Sequence, residues 1–117
     1  MHIPLSEYGN IVDNQTTVGI NREGVAGSDI NSGLFASFVE MGDVMGVFCG
    51  HDHNNDYIGI EKEIALAFGR RSGADAYGDL PIGARIIQLY EGQRKFDTWI
   101  CTQEEGNHTY YYYPSGL

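Results

Sequence analysis

Basic residues are scarce: 7 Lys and Arg stand against 16 Asp and Glu, for a formal net charge of -9 at neutral pH. Binding to DNA or RNA draws on clustered Lys and Arg, so no nucleic-acid partner is expected. An anionic small substrate is not excluded, because a bound divalent metal can be the largest local charge in a site and reverse the local electrostatics. Cysteine is equally sparse. Cys49 and Cys101 make no disulfide framework, and each sits in a strand-like apolar stretch, so buried free thiols are expected. No apolar run approaches the roughly 20 residues that cross a bilayer. Met1-His2-Ile3-Pro4 lacks the basic and apolar regions of a secretion signal, and no membrane partner is expected. No repeat, low-complexity tract or linker divides the 117 residues, so residues 1–117 read as one domain. A chain of that length buries roughly 60–70% of its unfolded surface, enough for a core without cysteine staples.

The order of elements follows from local patterns. The first thirty residues are rich in Asn, Asp, Gly and Thr and read as a long irregular segment after a short strand end at His2–Leu5; such segments are usually functional or anchored on something else. Leu34, Phe35, Phe38, Val39 and Met41 recur at helical spacing, predicting a helix over 32–41 with a Ser or Asn cap, closed by Gly42, its apolar stripe in the core. Val44–Gly50 reads as a strand buried on both faces. Residues 57–61 and 63–68 predict two strands joined near Glu61-Lys62, 69–83 a glycine-rich loop, 84–90 and 95–102 a hairpin, and Tyr110–Tyr113 an edge strand with alternate rings buried. The fold class is α+β, a mixed and mostly antiparallel sheet with one main helix.

Chemistry concentrates at Gly50-His51-Asp52-His53-Asn54-Asn55-Asp56, directly after the buried strand. In extended backbone, residues i and i+2 project to the same side, so His51 and His53 face one cavity. Imidazole is the commonest side-chain metal ligand, and two such rings suit two neighbouring ions, one each, better than chelation of one. Gly50 permits a tight exit from the strand. His2 lies at another strand end, where Pro4 stops the strand. Three of four histidines thus fall at predicted ends of core strands.

His2-Ile3-Pro4-Leu5, Asn31-Ser32-Gly33-Leu34-Phe35 and Val47-Phe48-Cys49-Gly50-His51-Asp52-His53-Asn54-Asn55-Asp56 together resemble the C-terminal half of the calcineurin-like metallophosphoesterase superfamily, nearest its purple-acid-phosphatase-like branch. The resemblance implies an αββα sandwich, of which this chain supplies roughly the second sheet and one helix. It also implies a dinuclear centre that hydrolyses small-molecule phosphoesters: His2 and His51 on one metal, His53 on the other, with iron, manganese or zinc as the ions. His51 is the candidate catalytic residue, assisting protonation.

The family's earlier ligand motifs are missing. No Asp-x-His occurs, and Gly42-Asp43 and Gly78-Asp79 are followed by no ligand. Gly106-Asn107-His108 is followed by Thr109 instead of an acid and reads as a polar turn, so His108 is not a candidate ligand. Paired divalent cations need a bridging carboxylate and further oxygen ligands. This polypeptide alone is therefore expected to hold one metal weakly or none and to show no appreciable phosphatase activity. An uncovered sheet face and edge predict a homo-oligomer, and a non-catalytic binding or oligomerisation module is the alternative function. Met1 directly before a core histidine suggests a truncated chain or a misassigned start. Asp52 and Asp56 are read as orienting the histidines or solvating a turn, Arg70 and Arg71 as solvated loop residues ahead of an anion-binding role, and Tyr8, Tyr57 and Tyr77 as packing ahead of a cleft lining.

Overall fold

The computed structural model describes residues 1–14 and 16–117; the expected irregular segment includes Gln15, which lies outside the described residues. The elements run α1 (Tyr8–Asp13), α2 (Leu34–Met41), β1 (Gly46–Cys49), β2 (Ile58–Glu61), β3 (Ile64–Phe68), β4 (Gly83–Leu89), β5 (Phe96–Thr102) and β6 (Gly106–Tyr113). The strands form two three-stranded sheets instead of the single sheet expected. The first has the order β1-β3-β2, with β1 parallel and β2 antiparallel to β3. The second is the antiparallel meander β4-β5-β6.

Strand periodicity explains the layering. On β3, Ile64, Leu66 and Phe68 point into a core with Tyr8, Ile11, Phe35, Val47 and Tyr57. Ala65 and Ala67 point the other way, against Phe96, Tyr111 and Tyr113 of the second sheet. Side chains alternate across a strand, so the first sheet is covered by helices on one face and by the second sheet on the other. This is why all five residues of β3 are buried, while the two-sided burial read for β1 holds only in part: Val47 and Cys49 are buried in one core, and Phe48 packs half-buried on the other. The layers are helix, sheet, sheet. Among the described residues no helix covers the outer face of the second sheet, which carries the half-exposed Ile86, Tyr110 and Tyr112.

Several local expectations are corrected. The N-terminal segment contains α1, with Tyr8 and Ile11 fully buried; six residues give too few turns for a visible hydrophobic period. Gly59 lets this helix close on β2, because a Cβ there would sit 3.0 Å from Ile11 Cδ1. The expected strand end at His2–Leu5 is not a strand, though the chain there runs along β1. Helix α2 ends at Gly42 as expected, in the left-handed region (φ 72°). Its N-cap is Gly33, not a Ser or Asn, and Asn31 Oδ1 accepts the Gly33 N–H instead. Only Phe35 of its apolar stripe is buried, and Leu34 and Val39 are more than a third exposed, since one face of so short a helix touches the sheet. The β2–β3 hairpin turns on Lys62 and Glu63, both at positive φ, the conformation whose twist matches the strands. Gly106-Asn107-His108 opens β6 instead of forming a turn, with Asn107 opposite Cys101 and His108 opposite Ile100. The tyrosine run alternates as expected: Tyr111 and Tyr113 are buried, Tyr110 and Tyr112 are not.

The long N-terminal segment is held by side chains of the loop after β1. Asn55, fully buried, accepts the N–H groups of Arg22 and Glu23 and donates to the Glu23 carbonyl. Asp56 Oδ1 accepts the Ile20 N–H at 2.6 Å, and its Oδ2 pairs with Arg70. Asp52 Oδ2 accepts the Ala26 N–H. These contacts satisfy backbone donors in a segment with little regular structure of its own. The Asp56–Arg70 pair is about 1% exposed on both sides, and removing one member of such a pair strands the other charge. Asp56→Ala is expected to cost about 3–5 kcal/mol in urea unfolding, with Asp56→Leu/Arg70→Met recovering a substantial part. A double variant no more stable than the single would assign the loss to the Ile20 bond instead.

Candidate functional site

Residues 1–2 lie along the edge of β1 opposite β3. The Met1 ammonium donates to the Phe48 carbonyl at 3.0 Å, and the Gly50 N–H donates to the His2 carbonyl at 2.9 Å. This brings His2 beside the residue that leaves the strand. The chain does not continue extended there. His51 itself is left-handed, with φ 74°, and the Asp52 N–H donates to the Gly50 carbonyl at 2.9 Å. The same-side projection expected for extended residues 51 and 53 is therefore replaced by a turn, and the turning residue is His51 and not Gly50. A left-handed non-glycine residue is unfavourable by roughly 1–2 kcal/mol and persists where the surroundings over-determine it.

The turn aims the two rings at different neighbours. His51 Nδ1 lies 3.3 Å from His2 Nε2, the rings meeting edge to face at 82°. His53 Nδ1 lies 2.7 Å from the Tyr77 carbonyl oxygen, and the two rings stack with centroids 4.0 Å apart. All three histidines line one cleft of about 360 Å³, together with Cys49, Asp52 and Arg71. Larger surface hollows, such as that of about 670 Å³ beside Leu80 and Gln103, contain no imidazole.

The fit of this donor set to metal ions is uneven. Two nitrogens, each about 2.0–2.1 Å from a tetrahedral ion, stand ~3.3–3.4 Å apart, and His2 Nε2 and His51 Nδ1 have that separation. One ion suits them. The nearby carboxylates are held by the backbone: Asp56 is tied to Ile20 and Arg70, and Asp52 to Ala26 through Oδ2, while its buried Oδ1 has no hydrogen-bond partner among the described residues. Among the described residues no three His, Cys, Asp or Glu side chains are gathered as a metal site. Neither aspartate hydrogen-bonds a histidine, so the orienting role considered for Asp52 and Asp56 is replaced by the backbone contacts above.

The arginines are corrected as well. Arg70 is buried, donating to Asp56 and to the Pro81 carbonyl. Arg71 donates to the carbonyls of Gly73, Ala76 and Leu80. Arg85, brought down to about 10 chiefly by burial, donates to the carbonyls of Phe68 and Asp56 and to Thr98. All three guanidiniums organise loop and strand-end carbonyls, and Arg70 is further committed to the Asp56 carboxylate. Tyr8 and Tyr57 are packing residues, as read from sequence. The Tyr8 hydroxyl sits 2.8 Å from the Val47 carbonyl and 3.1 Å from that of Ala67, and Tyr57 donates to the Tyr8 carbonyl. Tyr77 is different. Its hydroxyl donates to the Glu23 carboxylate at 2.9 Å, and Glu23 also accepts the Asn54 N–H. Glu23 is the site residue that sequence reasoning missed. It stands 30 residues from His53 in a stretch without periodicity, and nothing local signals the contact.

Cys49 forms part of the cleft floor. Burial pushes its thiol up to about 12, so it stays protonated at neutral pH and the thiolate, the reactive species, forms only near that value. In the native chain at pH 8, Cys101, which is partly exposed, is expected to take up a thiol reagent, and Cys49 to do so only after denaturation. Mass-spectrometric mapping of the label checks this; rapid labelling of Cys49 in the folded protein would contradict its burial.

Against this geometry stand three similar proteins, all of Arabidopsis thaliana. The chain is 42% identical over 100 residues to probable inactive purple acid phosphatase 29, covering 84% of this chain and 26% of that protein. It is 36% identical over 93 residues to probable inactive purple acid phosphatase 14, covering 80% and 23%. To probable inactive purple acid phosphatase 28 it is 38% identical over 100 residues, covering 84% and 25%. The chain spans about a quarter of the length of these relatives. No family model matches it, and no solved structure matches it.

Proposed function

From a chain that matches the C-terminal part of the purple-acid-phosphatase-like branch, we propose that it is the histidine-bearing portion of a two-metal phosphoester hydrolase site. His2 and His51 hold one ion and His53 the other, while the carboxylate ligands come from residues outside this sequence. In this reading residues 1–117 are part of one calcineurin-like αββα domain, and the ions are iron, manganese or zinc. Such ions, when bound, polarise phosphoryl oxygens of a small-molecule phosphoester and acidify water. The observation that carries the reading is the 3.3 Å approach of His2 Nε2 to His51 Nδ1 in a cleft that His53 also lines.

This chain's own residues have defined tasks in that scheme. With Nδ1 of His51 turned to His2, Nε2 is the nitrogen left to hold and hand on a proton. His53, donating from Nδ1, presents Nε2 as its lone-pair nitrogen. By itself the chain holds too few ligands for a paired site and does not turn over phosphoesters. The names of the relatives, each "probable inactive", favour a second reading: a non-catalytic binding or oligomerisation module on the same scaffold, self-associating through the uncovered face and edges of the second sheet.

Titration of the purified chain with Zn²⁺ or Mn²⁺, followed calorimetrically, tests the first reading. The expected result is weak binding of about one ion per chain, lowered at least tenfold by His2→Ala or by His51→Ala. Two tightly bound ions, or sustained hydrolysis of an aryl phosphate by the chain alone, would overturn the assignment of missing ligands. Binding unaffected by both variants would overturn the assignment of His2 and His51. For the second reading, sedimentation at micromolar concentration is expected to give a dimer or larger species, and a monomer would remove the oligomerisation role.

A further inference from the structure

We infer that Tyr77, anchored by Glu23, is a positioning residue that fixes His53 as the Nδ1–H tautomer with Nε2 as its lone-pair nitrogen. Its value as a metal-site device rests on the reading of His53 as a ligand; the tautomer lock itself does not.

The lock has three contacts. A carbonyl oxygen can only accept, so the 2.7 Å approach of His53 Nδ1 to the Tyr77 oxygen requires the proton on Nδ1. In a neutral imidazole this leaves Nε2 as the acceptor. The Tyr77 ring lies on the imidazole face, 17° from parallel, and limits rotation about the side-chain bonds. The Tyr77 hydroxyl donates to the Glu23 carboxylate and lies 3.3 Å from the His51 carbonyl oxygen and from the His53 backbone nitrogen. Glu23 accepts the N–H of Asn54, the residue after His53, at 2.7 Å. Ring, carbonyl and hydroxyl of one tyrosine thus grip the segment 51–54 from a loop more than twenty residues away.

Ordinary packing does not account for this placement. Tyr77 is 56% exposed, so its burial contributes little, and the aromatic ring against its face is the imidazole. The loop is also brought unusually close. Gly78 has φ 134°, and a Cβ there would lie 3.0 Å from Arg71 Nε and 3.2 Å from His53 Cβ; only glycine allows the Tyr77 carbonyl to reach the ring. Arg71, bonded to the carbonyls of Ala76 and Leu80, and Asn54, accepting the Asp79 N–H at 2.8 Å, hold the loop on both sides of that carbonyl. Histidines that bind metals are commonly held by an acceptor at the second ring nitrogen, and losing that partner typically weakens binding about 10–100-fold.

The test is the ¹⁵N spectrum of the ring nitrogens at pH 8, recorded on the metal-free chain and its variants. Wild type is expected to show His53 as Nδ1–H alone, and Tyr77→Phe, which keeps ring and carbonyl but loses the Glu23 anchor, to show the second tautomer appearing; an unchanged Tyr77→Phe ring overturns the anchoring role of Glu23. Tyr77→Ala is expected to show the averaged tautomer mixture of a free imidazole at His53, with the signals of His108, which lies against Thr109 on β6, unchanged. Gly78→Ala should release the same ring without altering Tyr77, and serves if Tyr77→Ala does not fold. A wild-type His53 protonated at Nε2, or a ring still locked in the folded Tyr77→Ala or Gly78→Ala chain, overturns the inference. Zn²⁺ added beyond the first equivalent, which His2 and His51 take up, separates the two claims: a locked wild-type ring, released in the variants, whose signals do not respond to this excess upholds the lock and removes the ligand assignment.

Discussion

The side chains of Asp52, Asn55 and Asp56 accept hydrogen bonds from backbone donors of residues 20–26, and everything around the cleft depends on that clamp. Residues 16–33 have almost no regular hydrogen bonding of their own, and unpaired backbone donors are costly once water is excluded. By supplying acceptors, the loop 50–57 between β1 and β2 converts that segment into a fixed wall. Asp56 is fixed in turn by Arg70, whose guanidinium reaches the Pro81 carbonyl, so the N-terminal segment, the loop after β1 and the glycine-rich loop share one buried charge pair. Arg85 extends the connection to the second sheet through the Asp56 carbonyl and Thr98.

Asp56 and Arg70 are spent on this scaffold, and the imidazoles are the cleft's main ligand-type nitrogens. They divide into a pair, His2 with His51, and a single ring, His53 with Tyr77. The division is made by the left-handed backbone at His51, which turns one ring toward the N-terminus and lets the other meet the loop. A centre of this kind can orient lone pairs but cannot offset the repulsion between two cations without added carboxylates. That agrees with a sequence covering about a quarter of its purple-acid-phosphatase relatives.

Most elements were legible before the coordinates. β1, the β2–β3 hairpin, the β4–β5 hairpin and the glycine that closes α2 follow from apolar runs and turn residues, which act over a few positions. Helix α1 was not legible because one and a half turns carry no period. The second sheet's role as a cover for the first was not legible either, because the contact of Ala65 and Ala67 with Phe96, Tyr111 and Tyr113 joins residues some thirty to fifty positions apart. Arg70 and Arg71 were misread for the same reason: a charged pair beside glycines looks solvated until distant carbonyls and a carboxylate are brought to it.

What the sequence by itself determined was the inventory: three histidines beside strand-forming runs and a kinship with purple-acid-phosphatase-like proteins carried by short motifs. Residue types and spacing are enough for that, since strands and turns are encoded locally. Tertiary structure alone decided which imidazole meets which partner, that Glu23 and Tyr77 lie against His53, and that the aspartates of the loop after β1 serve the backbone instead of the histidines. Those outcomes depend on closing long stretches of chain, where the stabilisation comes from satisfying buried polar groups across the fold and no local pattern records it.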